Sequence, residues 1–272
     1  MDRDKEPMLY LNNRPVDVTI FPDNTSQVWK IPNLPELQQL KLVEIKWGFT
    51  SEGEIAHLGQ LKMLLHANLI RASLHLTYLP YGRQDKDIGN ESTFALRNFA
   101  HAINALAFEY VEILDPHSEI ALELIRISRA IYPLSQLQNI ILNTGATLVC
   151  YPDKGALTKY SSVYKDIVGS AHIFGEKVRD QLTGNITSYK VLGECYGENV
   201  LIVDDICDGG ATFKILAKDL LANGANSVSL FVTHGLFTKG LETLKESGIS
   251  RIFCQDGECF EEPGAHWWTE RL

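Results

Sequence analysis

One segment constrains the fold more than any other. Asn199 to Val203 (NVLIV) is an almost unbroken apolar run that leads straight into Asp204-Asp205-Ile206-Cys207-Asp208-Gly209-Gly210-Ala211-Thr212. A short strand that is apolar throughout, rather than at alternate positions, is the kind buried on both faces of a parallel sheet. Beyond the loop, Phe213, Ile215, Leu216, Leu220 and Leu221 follow helical spacing, and Asn223-Gly224 stops the helix. Strand, polar loop and helix in succession mean an α/β fold with a mainly parallel sheet.

The rest of the chain repeats this style. Val16 to Phe21 and Gln27 to Ile31 flank a polar turn, Pro22 to Ser26, and predict a hairpin. Leu42 to Trp47 predicts a strand. Ile55, Leu58, Leu61, Leu65 and Leu69 predict a helix. Leu74 to Tyr78 is a strand, and Ser92 to Ala107 a helix with Ser92 as N-cap. Tyr110 to Leu114 is a strand that stops at Asp115-Pro116-His117-Ser118, and Ile120 to Ile131 a helix ending before Pro133. Thr147 to Cys150 is a strand running into Tyr151-Pro152-Asp153-Lys154-Gly155. Ser170 to Phe174 and Ser188 to Leu192 are strands around a loop, Gly175 to Thr187. Ser227 to Thr233 is a strand that ends at His234-Gly235. A length of 272 residues accommodates two domains, and the boundary falls near Pro133, giving 1–133 and 134–272.

Ligands of open α/β sheets bind beyond the carboxyl ends of the strands. The polar clusters Arg83 to Asp85, Asp115 to His117, Asp153, Asp204 to Thr212 and His234 all fall there. In the last strand-to-helix loop, Gly209, Gly210 and Ala211 are small enough for backbone N–H groups to curl round a phosphate ahead of Thr212. The acids Asp204, Asp205 and Asp208 would repel a phosphate, so they face something else. Ribose hydroxyls fit, and so does a metal on the sugar diol. A plainer alternative is a polar turn with Asp208 as a helix cap. Asp153 likewise reads as a helix cap after a strand, and Arg83 as a surface ion-pair partner.

Composition narrows the partners. Twenty-five Lys and Arg against 34 Asp and Glu give a net charge of −9, which argues against a nucleic-acid or anionic-membrane surface. It does not argue against small phosphate ligands, which need only a few local cations and N–H groups. No stretch approaches the ~20 apolar residues of a membrane span. Met1 to Glu6 (MDRDKE) is charged and has no signal-like apolar core behind it. Five cysteines, an odd number without a CxxC, predict free thiols in a reducing cytoplasm and no zinc site.

The loop from Val200 to Thr212 resembles the phosphoribosyl-pyrophosphate motif shared by type I phosphoribosyltransferases and ribose-phosphate pyrophosphokinases. Other segments select the second family. Pro80-Tyr81-Gly82-Arg83-Gln84-Asp85-Lys86 resembles its P-Y-A-R-Q-D-[KR] motif, Asp115-Pro116-His117-Ser118 its D-L-H-[AS], and Val232-Thr233-His234-Gly235 its A-T-H-[GA]. Phe21 to Val28 is a weaker echo of F-S-D-G-E-x-Q-V. The matches run in family order across nearly the whole chain.

The resemblance implies two similar phosphoribosyltransferase-like domains, each a mainly parallel sheet flanked by helices. It implies transfer of the β,γ-diphosphoryl group of ATP to the anomeric hydroxyl of ribose 5-phosphate, releasing AMP, with Mg2+ as cofactor. By similarity, Arg83, Gln84, Asp85, Phe21 and Asp23 would hold ATP, and Asp204, Asp205, Asp208, Gly209, Gly210, Ala211 and Thr212 the sugar phosphate. His117 and Asp153 would hold the magnesium, His117 directly or through water. Lys177 and Arg179, in Glu176-Lys177-Val178-Arg179, would be the catalytic cations together with His117; the family's usual D-K-R-R has its middle Arg replaced here. His172, His57 and His101 match no motif and read as structural. The implied partners are small molecules, ATP and a ribose phosphate, within a homo-oligomer, a dimer or larger.

Two departures stand out. The family's amino-terminal strand and helix before the hairpin are missing, and the region after His117 is compressed. Those regions serve the hexamer and the regulatory site, so the resemblance implies neither here. The family loop D-T-[AG]-G-T reads Asp208-Gly209-Gly210-Ala211-Thr212, with Gly209 in place of a Thr hydroxyl. Gly209 would also open space for an acceptor already substituted at its 5-phosphate, such as ADP-ribose. A non-catalytic regulatory homologue is a further alternative, against which Lys177, Arg179, His117 and Asp153 all stand.

Overall fold

The computed structural model describes residues 9–89, 92–169, 172–179 and 186–260, with the side chains of 177–179 and 186–189 outside that description. Met1 to Glu6 and Ser170 also lie outside it. The described chain forms two compact units, the first ending at Ile131 and the second beginning at Tyr132.

In the first unit the chain runs β1 (Leu9–Leu11), β2 (Arg14–Pro15), β3 (Val18–Ile20), β4 (Ser26–Val28), α1 (Leu34–Leu37), β5 (Val43–Trp47), α2 (Glu54–Ala67), β6 (Ala72–Leu76), α3 (Ala95–Ala105), β7 (Val111–Leu114), α4 (Ile120–Leu124) and β8 (Ser128–Ile131). The sheet order is β2-β1-β5-β6-β7-β8, parallel from β5 to β8. Val43, Ile45, Leu74, Leu76, Val111 and Ile113 form one core with Leu58, Leu61 and Leu65 of α2 and Leu96, Phe99 and Ile103 of α3. Alternation along each strand places Glu44, His75 and Glu112 on the opposite face. β3 and β4 pair as a separate hairpin, tied to α2 where Gln60 accepts from the Val28 amide and donates to the Ser26 carbonyl.

In the second unit the order is α5 (Leu134–Thr144), β9 (Leu148–Tyr151), α6 (Lys154–Val163), α7 (Lys165–Val168), β10 (His172–Arg179), β11 (Ile186–Leu192), β12 (Asn199–Cys207), α8 (Ala211–Ala222), β13 (Ser227–Gly235), α9 (Glu242–Lys245), β14 (Ile249–Cys254) and β15 (Gly257–Glu258). Its sheet reads β11-β10-β9-β12-β13-β14-β15, parallel except at the two ends. β12 lies near the middle, where both faces are covered. Val200 and Ile202 join one core with Leu216 and Leu220 of α8. Leu201 and Val203 join another with Leu137 of α5 and Tyr160 of α6. That two-sided burial explains why the strand is apolar at every position. All five cysteines are buried, and none forms a disulfide among the described residues.

Several expectations are corrected. The helix predicted over Ile120 to Ile131 stops at Leu124, and β8 follows. Ile125 is already extended, and the Ser128 hydroxyl donates to the Ile125 carbonyl at 2.7 Å, closing the helix end. Ile127, at φ 52°, points outward, and Arg129 then ion-pairs with Glu112 on β7. Leu69 lies past the end of α2, at φ 60° and 92% exposed, while Ile70 turns back to be buried. Ser92 is outside α3, whose N-cap is Phe94. The first turn of α3 is met by the Gln84 carbonyl, which accepts from the Leu96 amide. A strand does precede the hairpin: β1 pairs antiparallel with β5. The predicted loop 175–187 is partly a ribbon, because β10 reaches Arg179 and β11 begins at Ile186. α5 was not evident in the sequence pattern. It starts at Pro133, buries Leu137 and Ile140, and ends at Gly145 in the left-handed region.

Ile127 tests the first correction. A β-branched residue with positive φ is strained by roughly 1–2 kcal/mol. Ile127→Gly is expected to leave stability unchanged or raise it by about 1 kcal/mol in urea unfolding. Had residues 120–131 been a helix, the same change would lower stability by about 1 kcal/mol.

Candidate functional site

In the first unit, two predicted segments meet at the carboxyl ends of β6 and β7. Tyr81 adopts φ 61° and its carbonyl accepts from the Gln84 amide, making a tight turn. A Cβ on Gly82 would lie 3.2 Å from the Leu79 carbonyl and 3.7 Å from His117 Cβ, so glycine permits the approach of the His117 segment. Asp85 is buried and accepts from the Ser118 hydroxyl at 2.6 Å. Arg83, Gln84 and His117 are exposed around this junction. Asp85 therefore fastens the two segments together, and the cation and imidazole are left at the surface. The Tyr81 hydroxyl donates to Glu52, which pushes its pKa up to about 12.

Phe21 and Asp23 belong to the β3–β4 hairpin. Asp23 Oδ1 accepts from the Thr25 amide (3.0 Å) and hydroxyl (2.7 Å), which hold its carboxyl below the usual range. That carboxylate shapes its own turn. The Phe21 ring stacks edge-on against Trp29, at 6.4 Å.

In the second unit, the acids of the loop are the last residues of a strand. β12 continues through Asp204 and Asp205 to Cys207, paired with β13 so that Asp204 faces Val232 and Ile206 faces His234. The Asp205 amide donates to Asp204 Oδ1 at 3.0 Å. Asp205 is buried, and the ammonium of Lys159, on α6, lies 3.8 Å from it. Burial raises the Asp204 carboxyl well above its ordinary value; the Asp205 charge and a carboxyl-to-carboxyl hydrogen bond add to this, and Lys159 opposes it. Burial, followed by the charges of Asp204 and Asp208, pushes the Cys207 thiol up to about 12. This strand end is thus a pocket of negative potential.

Beyond it the chain turns into α8. Gly210 is the N-cap, at φ 72°, and a Cβ there would lie 2.7 Å from Leu244 Cδ2. Gly210 offers no side chain to cap α8, the arrangement in which first-turn N–H groups, here of Ala211 and Thr212, can take an anion. Asp208 accepts from the Thr238 hydroxyl at 2.6 Å. It is therefore held by the turn after β13 and does not cap α8.

Asp153 is the N-cap of α6, its Oδ1 accepting from the Ala156 amide at 3.0 Å. The sequence reading as a helix cap is realised; a metal would have to share this carboxylate. Lys177 and Arg179 lie on β10, and their side chains are outside the described residues. His117 is in the first unit and Asp153 in the second. Among the described residues, one group of ligand-type side chains has donor atoms within 4.8 Å of one another: Glu44, His75 and Glu112. Glu112 there is already paired with Arg129 and His75. His172 packs its ring on Tyr151, 5.8 Å away, in keeping with a structural role.

Sequence reasoning passed over Lys159 and Thr238. Lys159 sits six residues beyond Asp153, and only the facing of α6 onto β12 gives it a role. Thr238 follows the Thr233-His234-Gly235 segment, and that proximity was the signal available.

No family model matches the chain. It is 28% identical over 193 residues to the ribose-phosphate pyrophosphokinase of Aeropyrum pernix, a match covering 70% of this chain and 62% of that protein. It is 25% identical to the ribose-phosphate pyrophosphokinase of Saccharolobus solfataricus, over 87% of this chain and 82% of that one. The Pyrococcus abyssi protein of the same name is 30% identical, over 65% of this chain and 62% of its own. The chain thus spans under two thirds of the length of some of these relatives. Among solved structures, phosphoribosylpyrophosphate synthetase from Mycobacterium smegmatis shares the fold, with a TM-score of 0.71, 18% identity, and coverage of 88% of this chain and 79% of that one. No helix among the described residues is long and apolar enough to cross a membrane.

The acidic pair gives a pH test. Asp204 is raised in the folded state, so its contribution to stability is full below its ordinary pKa of 3.8 and is lost as pH rises through the folded value. Without divalent cations, Asp204→Asn should match the parent's melting temperature near pH 4 and exceed it at pH 7.5. Each kcal/mol gained would read as roughly 2–4 °C. Equal melting curves at both pH values would contradict the raised carboxyl.

Proposed function

This chain is a divergent member of the ribose-phosphate pyrophosphokinase family, and on that premise we propose that it transfers the β,γ-diphosphoryl group of ATP to the anomeric hydroxyl of ribose 5-phosphate. The observation that carries the reading is the Asp85–Ser118 hydrogen bond. It joins the two segments that separate this family from the phosphoribosyltransferases, and it leaves Arg83, Gln84 and His117 exposed at one place. The named relatives support the same reading.

The roles follow from chemistry. Arg83 is planar and multiply donating, suited to a phosphate or a purine face. Gln84 supplies an amide beside it, while Asp85 holds the turn. Phe21 offers an aromatic face, and Asp23 keeps the hairpin tip in shape. In the second unit, Asp204 and Asp205 accept hydrogen bonds from the ribose hydroxyls. Asp208 and Gly209 to Thr212 present N–H groups to the 5-phosphate. Lys177 and Arg179 would offset charge on the transferring phosphoryl oxygens.

Hard oxygen donors are what magnesium prefers, and the acid-rich strand end and the Asp153 carboxylate are of that kind. We assign Asp153 to hold the ion, which when bound would supply charge neutralisation of the phosphates. Positioning does the remaining work: the sugar oxygen is aligned with the β-phosphorus and AMP leaves.

Purified chain incubated with ATP, magnesium and ribose 5-phosphate should release AMP and a sugar heavier by a diphosphate, read by mass spectrometry. EDTA should abolish turnover. Absence of AMP, or mass gain only on ADP-ribose, would overturn the acceptor assignment. Lys177→Ala should lower kcat by about a hundredfold or more. Asp204→Asn combined with Asp205→Asn should raise KM for the sugar phosphate far more than for ATP, and equal damage to both would refute the division of roles.

A further inference from the structure

Gly209 lies in the phosphate loop, yet its backbone is outside the left-handed region that makes Gly210 necessary. A side chain there would meet neighbours only at ordinary contact distance. A Cβ on Gly209 would lie 3.4 Å from Lys239 Cγ and 3.9 Å from Thr238 Oγ1. The stem of Lys239 therefore runs beside Gly209.

The turn that brings Lys239 there is firmly seated. The Leu236 and Phe237 amides both donate to the Cys207 carbonyl, at 2.8 and 3.1 Å. The Phe237 ring is buried against Gly235, where a Cβ would come within 2.1 Å of it. The Thr238 hydroxyl is fixed to Asp208. Lys239 is exposed, and its ammonium has no hydrogen-bond or ion-pair partner among the described residues. An exposed cation thus stands beside the phosphate loop.

We propose that Lys239, beside Gly209 in the phosphate loop, binds the 5-phosphate of the acceptor; this rests on the diphosphokinase reading above. The loop needs such a charge. Asp204, Asp205 and Asp208 create a field that repels a phosphate dianion, and backbone N–H groups carry only partial charge against it. A lysine supplies a full, compact positive charge and three donors. The resulting site grips the phosphate by charge, where a hydroxyl would grip it by direction.

Calorimetric titration of the full chain with ribose 5-phosphate, in magnesium, tests this. Lys239→Ala should weaken binding about tenfold or more, as expected for loss of a charge-assisted hydrogen bond. Lys239→Arg should recover most of the affinity. Lys245→Ala, an exposed cation on α9, should bind like the parent. In turnover, Lys239→Ala should raise KM for the sugar phosphate with kcat and the KM for ATP little changed. Parent-like affinity in Lys239→Ala overturns the inference. If the parent binds ADP-ribose instead and Lys239→Ala loses it, the role of Lys239 stands and the acceptor assignment falls. If the parent binds neither, the diphosphokinase reading falls and this inference with it.

Discussion

Two adjacent carboxylates at the end of a strand buried on both faces set the terms for the whole second unit. Like charges in a poorly solvated place disfavour their own ionisation. What makes them tolerable is local: the amide of Asp205 on Asp204, a hydrogen bond between the two carboxyls, and Lys159 from α6. Their place cannot drift. Val200 and Ile202 are committed to the core under α8, Leu201 and Val203 to the core under α5 and α6. A slip of one residue would exchange the two sets and move both acids. A fold with no use for the pair would be steadier without it. On the proposed function, a ligand that brings hydroxyl donors or a cation offsets that expense.

Much of this was legible in the sequence, for physical reasons. A strand covered on both sides has to be apolar at each position, so β12 announced itself. α8 did too, because helical spacing ended in Asn223 and Gly224, which close it. The parallel sheets and the polar clusters at their carboxyl ends followed from the alternation of elements. Ile120 to Ile131 was misread because its apolar residues satisfy a helical and an extended period alike. The deciding contacts, Ser128 onto the helix end and Arg129 onto Glu112, join residues that periodicity treats separately. β10 and β11 lengthened past the predicted loop because pairing between strands, not composition, sets where a ribbon ends.

The site residues show a different limit. Carboxylates read as ligand-binding often hold the backbone first: Asp85 secures Ser118, Asp153 caps α6, and Asp23 fixes its own turn. Sequence identifies the residue type and its position after a strand. It does not say which oxygen is already engaged. The cations were harder still. Lys159 and Lys239 lie far from the loop in sequence and match no motif, and both come to it through packing alone.

Those two lysines differ in a way that bears on chemistry. Lys159 is nearly buried, its ammonium beside Asp205 and 4.7 Å from the centre of the Tyr160 ring. A cation so placed balances the acids in the resting protein. Moving it would leave Asp205 buried without that partner, at a cost of several kcal/mol. Lys239 is exposed, and only its stem is packed. Its charge is compensated by water, which a phosphate can displace cheaply. Net charge, at −9, conceals this arrangement. Beside one acidic strand end, burial thus separates two lysines, Lys159 held against Asp205 and Lys239 exposed to solvent.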